Sequence, residues 1–186
     1  MQQLHNQRYE QIKESVVATF EKYGVDQYPI DCFSLAKQMG FIVVPFSKLD
    51  DEQLKAIRFC EGEAIMFIVN DVKYIFYNDI NNNSTRQRFS IFHELGHYVL
   101  GHKAESELAR LEANFFASYA IAPLPLVWKT KCDTILKICN TFDVSVECAT
   151  KIIYNLENWQ RVTKTRLSDY EVRLLNLFNI KGESHE

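Results

Sequence analysis

The sequence predicts an α+β fold: a small mixed or antiparallel sheet, a helix carrying the site residues, and a helical C-terminal region. Three observations carry that expectation. Two apolar runs, AIMFIV (64–69) and VKYIFYN (72–78), flank Asn70-Asp71, a pair suited to a tight hairpin turn. Residues 84–100 repeat apolar side chains at helical spacing. Beyond Pro123 and Pro125 the chain reads as helix nearly to its end, in TILKICNTF, DVSVECATKIIYNLENW and DYEVRLLNLF.

The elements follow in order. Tyr9, Ile12, Val16, Phe20 and Tyr23 lie on one helical face, and Gly24 can end that helix. Pro29 and Asp31 open a short second helix that Gly40 closes. FIVVPF (41–46) reads as a strand whose Pro45 marks an edge or an end. The segment from Lys48 to Gly62 carries no clear pattern. The hairpin comes next, then the NNNS loop (81–84), where Ser84 and Gln87 match a capping box. A helix then runs to Leu100, with Gly101 just past its end. A further helix covers about 105–121, with an apolar stripe of Leu108, Leu111, Phe115, Tyr119 and Ala122. Pro123 and Pro125 break the chain, and the last residues, KGESHE, read as frayed.

Composition narrows the function. Of 186 residues, 47% are hydrophobic, enough for a packed core. A formal charge of -3 does not force a basic surface, so nucleic acid is not the expected partner. The N-terminal stretch MQQLHNQRYEQIKES lacks the apolar core of a secretory signal, and no apolar run approaches the ~18 residues of a membrane span. The five cysteines are dispersed with no CxxC pair, as expected of free thiols in a reducing cytoplasm.

The chemistry concentrates in RFSIFHELGHYVLGH (88–102), which holds three of the five histidines. His93 and His97 are four apart, so on a helix they share a face one turn apart. Their imidazoles can converge on one ion at about 2.0–2.1 Å, which suits zinc. Glu94, rotated about 100° from His93, can flank the ion and take a proton from a water there. This is the HExxH arrangement. Its helix is apolar nearly all round, and buried His and Glu without partners would be costly.

A catalytic zinc usually has three protein ligands. His102 misses the spacing of a third histidine ligand: Leu100 and Lys103 stand where glycine and histidine would be needed. Removing His102 is therefore expected to leave metal content intact. Glu105, Glu107 and Glu112 are the other candidates. The first two sit in the charged stretch KAESE, whereas Glu112 lies inside an apolar helix, where a carboxylate needs a reason.

RQRFSIFHELGHYVLGH followed by LEANFFASYAIAPLP resembles the ImmA/IrrE family of zinc metallopeptidases. Ser90, Phe92 and Ser118-Tyr119 depart mildly from its pattern. The resemblance implies a zincin-like domain over 1–125, with His93, His97 and Glu112 as zinc ligands and Glu94 as the catalytic base. It implies a cytoplasmic protease that cleaves a helix-turn-helix repressor encoded beside it, derepressing a phage, mobile-element or stress operon. Residues 126–186 form the helical remainder. Within it, LKICNTFDVSVECATKIIYNL is helix-turn-helix-like, but Glu147 and Glu157 interrupt the basic stripe that phosphates need. That region reads as a wall or docking surface rather than a DNA reader.

An extended substrate is expected to pair with a strand edge. The strand 72–78, leading into the motif helix, is the candidate edge. Tyr74, Phe76 and Asn78 on it, with His102 and Tyr119, are the candidate substrate contacts. His102, Tyr98 and Tyr119 are equally open as oxyanion donors. The rival reading is a non-proteolytic regulatory or toxin–antitoxin protein that retains a zinc site. An intact Glu94 argues for catalysis, because a structural site needs no base.

Overall fold

The computed structural model describes residues 4–58, 63–80, 83–162 and 166–179. In chain order the elements are α1 (Asn6–Tyr23), α2 (Cys32–Gln38), β1 (Phe41–Pro45), a 3₁₀ turn (Phe46–Lys48), α3 (Asp51–Arg58), β2 (Ala64–Val69) and β3 (Val72–Tyr77). Then follow α4 (Ser84–Val99), α5 (Glu107–Ile121), α6 (Leu124–Lys129), α7 (Ile135–Phe142), α8 (Val146–Val162) and α9 (Asp169–Leu177). The chain divides into two compact units. One is Asp31–Ala117; the other comprises the described parts of Gln3–Ile30 and Ser118–Glu186. The KGESHE tail lies outside the described residues.

The first unit is the expected α+β arrangement. Its mixed sheet has the order β1-β3-β2, with β1 parallel and β2 antiparallel to β3. Asn70 (φ 49°) and Asp71 (φ 64°) both take the left-handed conformation that a two-residue hairpin needs. The unpatterned stretch after Lys48 contains α3, whose start is held by Asp50: its carboxylate accepts the N–H of Glu52 and of Gln53.

One expectation is corrected here. The strand 72–78 is not an edge. β3 is the central strand, bonded on both sides, so no added chain can pair with it. Sequence order suggested an edge, but β1 reaches over to claim the free side of the hairpin. β1 and β2 are the outer strands instead, and β2 is the one beside α4.

Helix α4 begins one residue earlier than a Ser84 cap implies. Asn83 is the cap, its side-chain oxygen accepting the Arg86 N–H at 3.1 Å. Ile91, Phe92 and Leu95 are fully buried, each contributing about 1.5–3 kcal/mol of hydrophobic stabilisation. Ser106 opens α5 by accepting the Ala109 N–H at 3.0 Å, so that helix starts two residues later than its charge pattern implies. The expected α5 stripe holds at Tyr119 and Ala122, which are buried, but not in the first turns of the helix. Leu108 is 43% exposed, and the buried face is Ala109, Glu112, Ala113, Phe116 and Ala117. These side chains are mostly small, which lets α5 approach α4 closely at Gly96. A Cβ there would lie 3.1 Å from Phe116.

In the second unit α1 packs against α9. The Tyr170 hydroxyl donates to Glu10 at 2.5 Å, Arg173 pairs with Glu21 at 3.2 Å, and Phe20 meets Phe178 edge-on. Pro123 and Pro125 do not only break the chain. They open α6, where a missing N–H costs nothing. The turn between α7 and α8 is as expected: Asp143 is left-handed and Ser145 accepts the Cys148 N–H. Among the described residues no helix is long and apolar enough to cross a membrane. Cys32, Cys132 and Cys139 are free, Cys60 lies outside the described residues, and burial pushes the Cys32 thiol up to about 12.

Candidate metal and active site

The site lies within the first unit. A cleft of about 830 Å³ is bounded by β2, by one face of α4, by the α4–α5 loop and by α5. His93, Glu94 and His97 face it from α4, His102 and Glu105 from the loop, and Arg110 and Asn114 from α5. Ala64, Ile65 and Met66 form its β2 wall. Tyr74, Phe76, Asn78, Glu112 and Tyr119 are not among the lining residues. Tyr74 and Phe76 stack on each other along β3, and Asn78 closes the hairpin base on Glu63. The Tyr119 ring is buried in the second unit.

The four-residue spacing brings the two motif rings side by side on α4. His93 Nε2 and His97 Nε2 lie 3.0 Å apart. Two nitrogens held tetrahedrally at about 2.0–2.1 Å from a zinc ion would lie about 3.3 Å apart, so the pair fits one ion. Burial lowers the His93 pKa against an opposing hydrogen bond that the ring donates to Asn114, and burial lowers His97 to about 4. Both rings are therefore neutral, the form that binds metal. His93 Nδ1 is buried with no hydrogen-bond partner among the described residues, unlike the nitrogens of an ordinary core histidine. No three His, Cys, Asp or Glu side chains among the described residues converge as a complete ion site.

The three candidate carboxylates separate clearly. Glu107 is exposed. Glu105 is also largely exposed, tied to Arg110 at 2.9 Å, yet its Oε2 lies 3.9 Å from His97 Nε2. Glu112 is buried, and its Oε2 meets His102 Nε2 at 3.0 Å. His102 Nδ1 in turn meets His97 Nδ1 at 3.0 Å.

Glu94 points toward the sheet. The Met66 backbone N–H donates to its Oε2 at 3.0 Å. Burial pushes the carboxyl up to about 7, with the Met66 bond opposing. A carboxyl poised there exchanges protons readily near neutral pH, as a general base must. Two contributors escaped the sequence reading. Asn114 had a signal, being a second polar residue two positions after Glu112 on a buried helix. Met66 acts through its backbone, which no side-chain pattern reveals.

Paired neutral imidazoles, a carboxyl raised toward neutral pH and a cleft beside the outer strand β2 are the parts of a metallopeptidase domain. The comparison with known families agrees: the model of the IrrE N-terminal-like domain, a peptidase family, matches residues 36–151. That is more than half of the chain, and the chain belongs to this ImmA/IrrE family, whose peptidases are typically metal-dependent. No curated protein matches it.

Proposed function

We propose that the protein is a cytoplasmic zinc endopeptidase that cuts one specific protein partner, a helix-turn-helix repressor. The observation that carries this reading is the 3.0 Å approach of His93 Nε2 and His97 Nε2 in an open cleft, with Glu94 on the next residue. His93 and His97 hold the ion, and Glu112 is the third ligand. Bound there, zinc supplies Lewis acidity to a water and to the scissile carbonyl. Glu94 takes the water's proton and delivers it to the leaving amine.

The substrate pairs with β2 rather than β3. The Asn78 N–H bonds to the Glu63 carbonyl at 2.7 Å, which places the odd-numbered residues of β2 in the narrow pairs with β3. Ala64, Met66 and Ile68 therefore direct their backbone groups outward, and Met66 already meets Glu94 on that side. An extended segment laid along this edge has its backbone beside Glu94. Only an unfolded or locally opened stretch of the partner can do this, such as an interdomain linker. A DNA-reading role for α7 and α8 has little support. Lys137 and Lys151 each pair with a carboxylate one turn away, on Asp133 and Glu147.

The test is incubation of purified, metal-analysed protein with the neighbouring repressor-like gene product, with cuts mapped by mass spectrometry. One or two cuts, abolished by Glu94→Gln and by chelation, are expected. Scattered cuts in casein-like substrates, or cleavage by Glu94→Gln at the wild-type rate, would refute the reading.

A further inference from the structure

The proposed ligand set leaves His102 outside the ion's contacts, yet it sits in a chain of two 3.0 Å contacts. Its Nε2 meets Glu112 Oε2, and its Nδ1 meets His97 Nδ1. The His102 and Glu112 side chains are 12% and 8% exposed, so water does little to compete for these bonds. We propose that His102 is a positioning residue that links the Glu112 carboxylate to His97 and so fixes His97 with its Nε2 bare and facing His93.

The argument is one of donors and acceptors. A carboxylate only accepts, so the proton between Glu112 and His102 is on His102 Nε2. With a single N–H on His102, spent on Glu112, its Nδ1 is an acceptor. The proton between the two rings must be on His97 Nδ1. His97 Nε2 is left with its lone pair, 3.0 Å from His93 Nε2. The opposite tautomer of a neutral His102 would set two acceptors against each other at 3.0 Å, beside Glu112. Histidine ligands commonly need such a partner on the far nitrogen, and losing it typically costs about 10–100-fold in metal affinity. Sequence spacing alone led to the opposite expectation for His102, that its removal leaves metal content intact. The spacing excludes it as a ligand but does not see that it touches one.

The inference rests on the zinc reading above, and the experiment separates the two. Zinc affinity is measured by competition with a chromogenic chelator for wild type, His102→Ala and His102→Gln. The tautomer of His97 is read in the chelated wild-type protein by long-range ¹H–¹⁵N correlation NMR. His102→Ala is expected to weaken zinc about 10–100-fold. His102→Gln recovers much of that loss, because its amide oxygen can accept from His97 while its N–H₂ donates to Glu112. His97 is expected to carry its proton on Nδ1. If wild type binds no zinc, the function fails and this inference with it. If wild type binds zinc but His102→Ala matches it within twofold, or if His97 is protonated on Nε2, only the positioning role is overturned. Should His102→Ala not fold, the NMR tautomer and the glutamine variant still decide.

Discussion

The backbone N–H of Met66, on the outer strand β2, donates to the carboxylate of Glu94 at 3.0 Å. This bond ties the motif helix to the strand proposed to receive substrate, and it keeps the proposed base aimed along that strand. Glu94→Gln retains an oxygen that can accept the same N–H. The variant is expected to keep its fold and its zinc while losing about 10²–10⁴-fold in turnover. Product mass spectrometry, elemental analysis and a thermal melt, taken together, check this. A variant that also loses its metal would mean that Glu94 is a ligand rather than a base.

The raised Glu94 carboxyl makes a prediction about pH. Its folded value of about 7 exceeds the ordinary 4.5, so between those limits the folded chain holds more protons than the unfolded one. With chelator in excess, Glu94 therefore lowers stability as pH rises from about 4.5 to 7, and adds nothing further above that. Glu94→Gln cannot ionise. Relative to wild type, its stability is expected to improve across this window, by on the order of 2 kcal/mol at pH 8. Urea midpoints at pH 4.5 and pH 8 measure it, and an equal difference at both would sink the idea.

Glu112→Gln is expected to weaken zinc binding strongly, since a neutral amide is a poor ligand. His93→Ala or His97→Ala is expected to remove most of the metal. Wild type from a zinc-replete host is expected to carry about one zinc per chain. Elemental analysis of the four proteins side by side is sufficient. Full occupancy in Glu112→Gln would pass the third-ligand role to another group, of which Glu105 is the nearest alternative.

The position of β2 can be tested directly. Ile68→Pro removes an outward-facing N–H from an edge strand, where proline is tolerated. Zinc content and melting temperature are expected to stay close to wild type. Cleavage of the partner is expected to fall about 3–10-fold in kcat/KM, the worth of one hydrogen bond. Tyr74→Pro in central β3 is expected to unfold the protein, and circular dichroism distinguishes the two outcomes.

Gly96→Ala tests the approach of α5 to α4. Alanine favours a helix by about 1 kcal/mol over glycine. Its Cβ, however, would press on fully buried Phe116 at 3.1 Å, and overpacking costs about 1–3 kcal/mol. A net loss of up to about 2 kcal/mol is expected. Phe116 lies one turn from Glu112, so zinc affinity is expected to fall with it. Unchanged affinity in a folded variant would show that α5 absorbs the shift without moving Glu112.

The sequence by itself determined whatever depends on neighbours along the chain. The four-residue spacing of His93 and His97 put both rings on one face, because a helix repeats every 3.6 residues. Asn70-Asp71 set the hairpin turn, Gly24 and Gly101 marked helix ends, and Asp143–Ser145 made the α7–α8 turn, all through local backbone preference. Glu112 stood out as a carboxylate amid apolar neighbours.

Tertiary structure decided what depends on residues far apart in the chain. That β3 is central followed from β1 joining its free side, a pairing that neither strand's own pattern specifies. That α1 packs with α9 rests on Tyr170–Glu10 and Phe20–Phe178, whose members are more than 150 residues apart. The buried face of α5 was set by its close approach at Gly96, which favours small side chains over the more hydrophobic ones. The place of His102 between His97 and Glu112 needed the loop to bring a third element to the same point. Spacing rules describe a single helix or strand, whereas contact between two elements depends on how both pack.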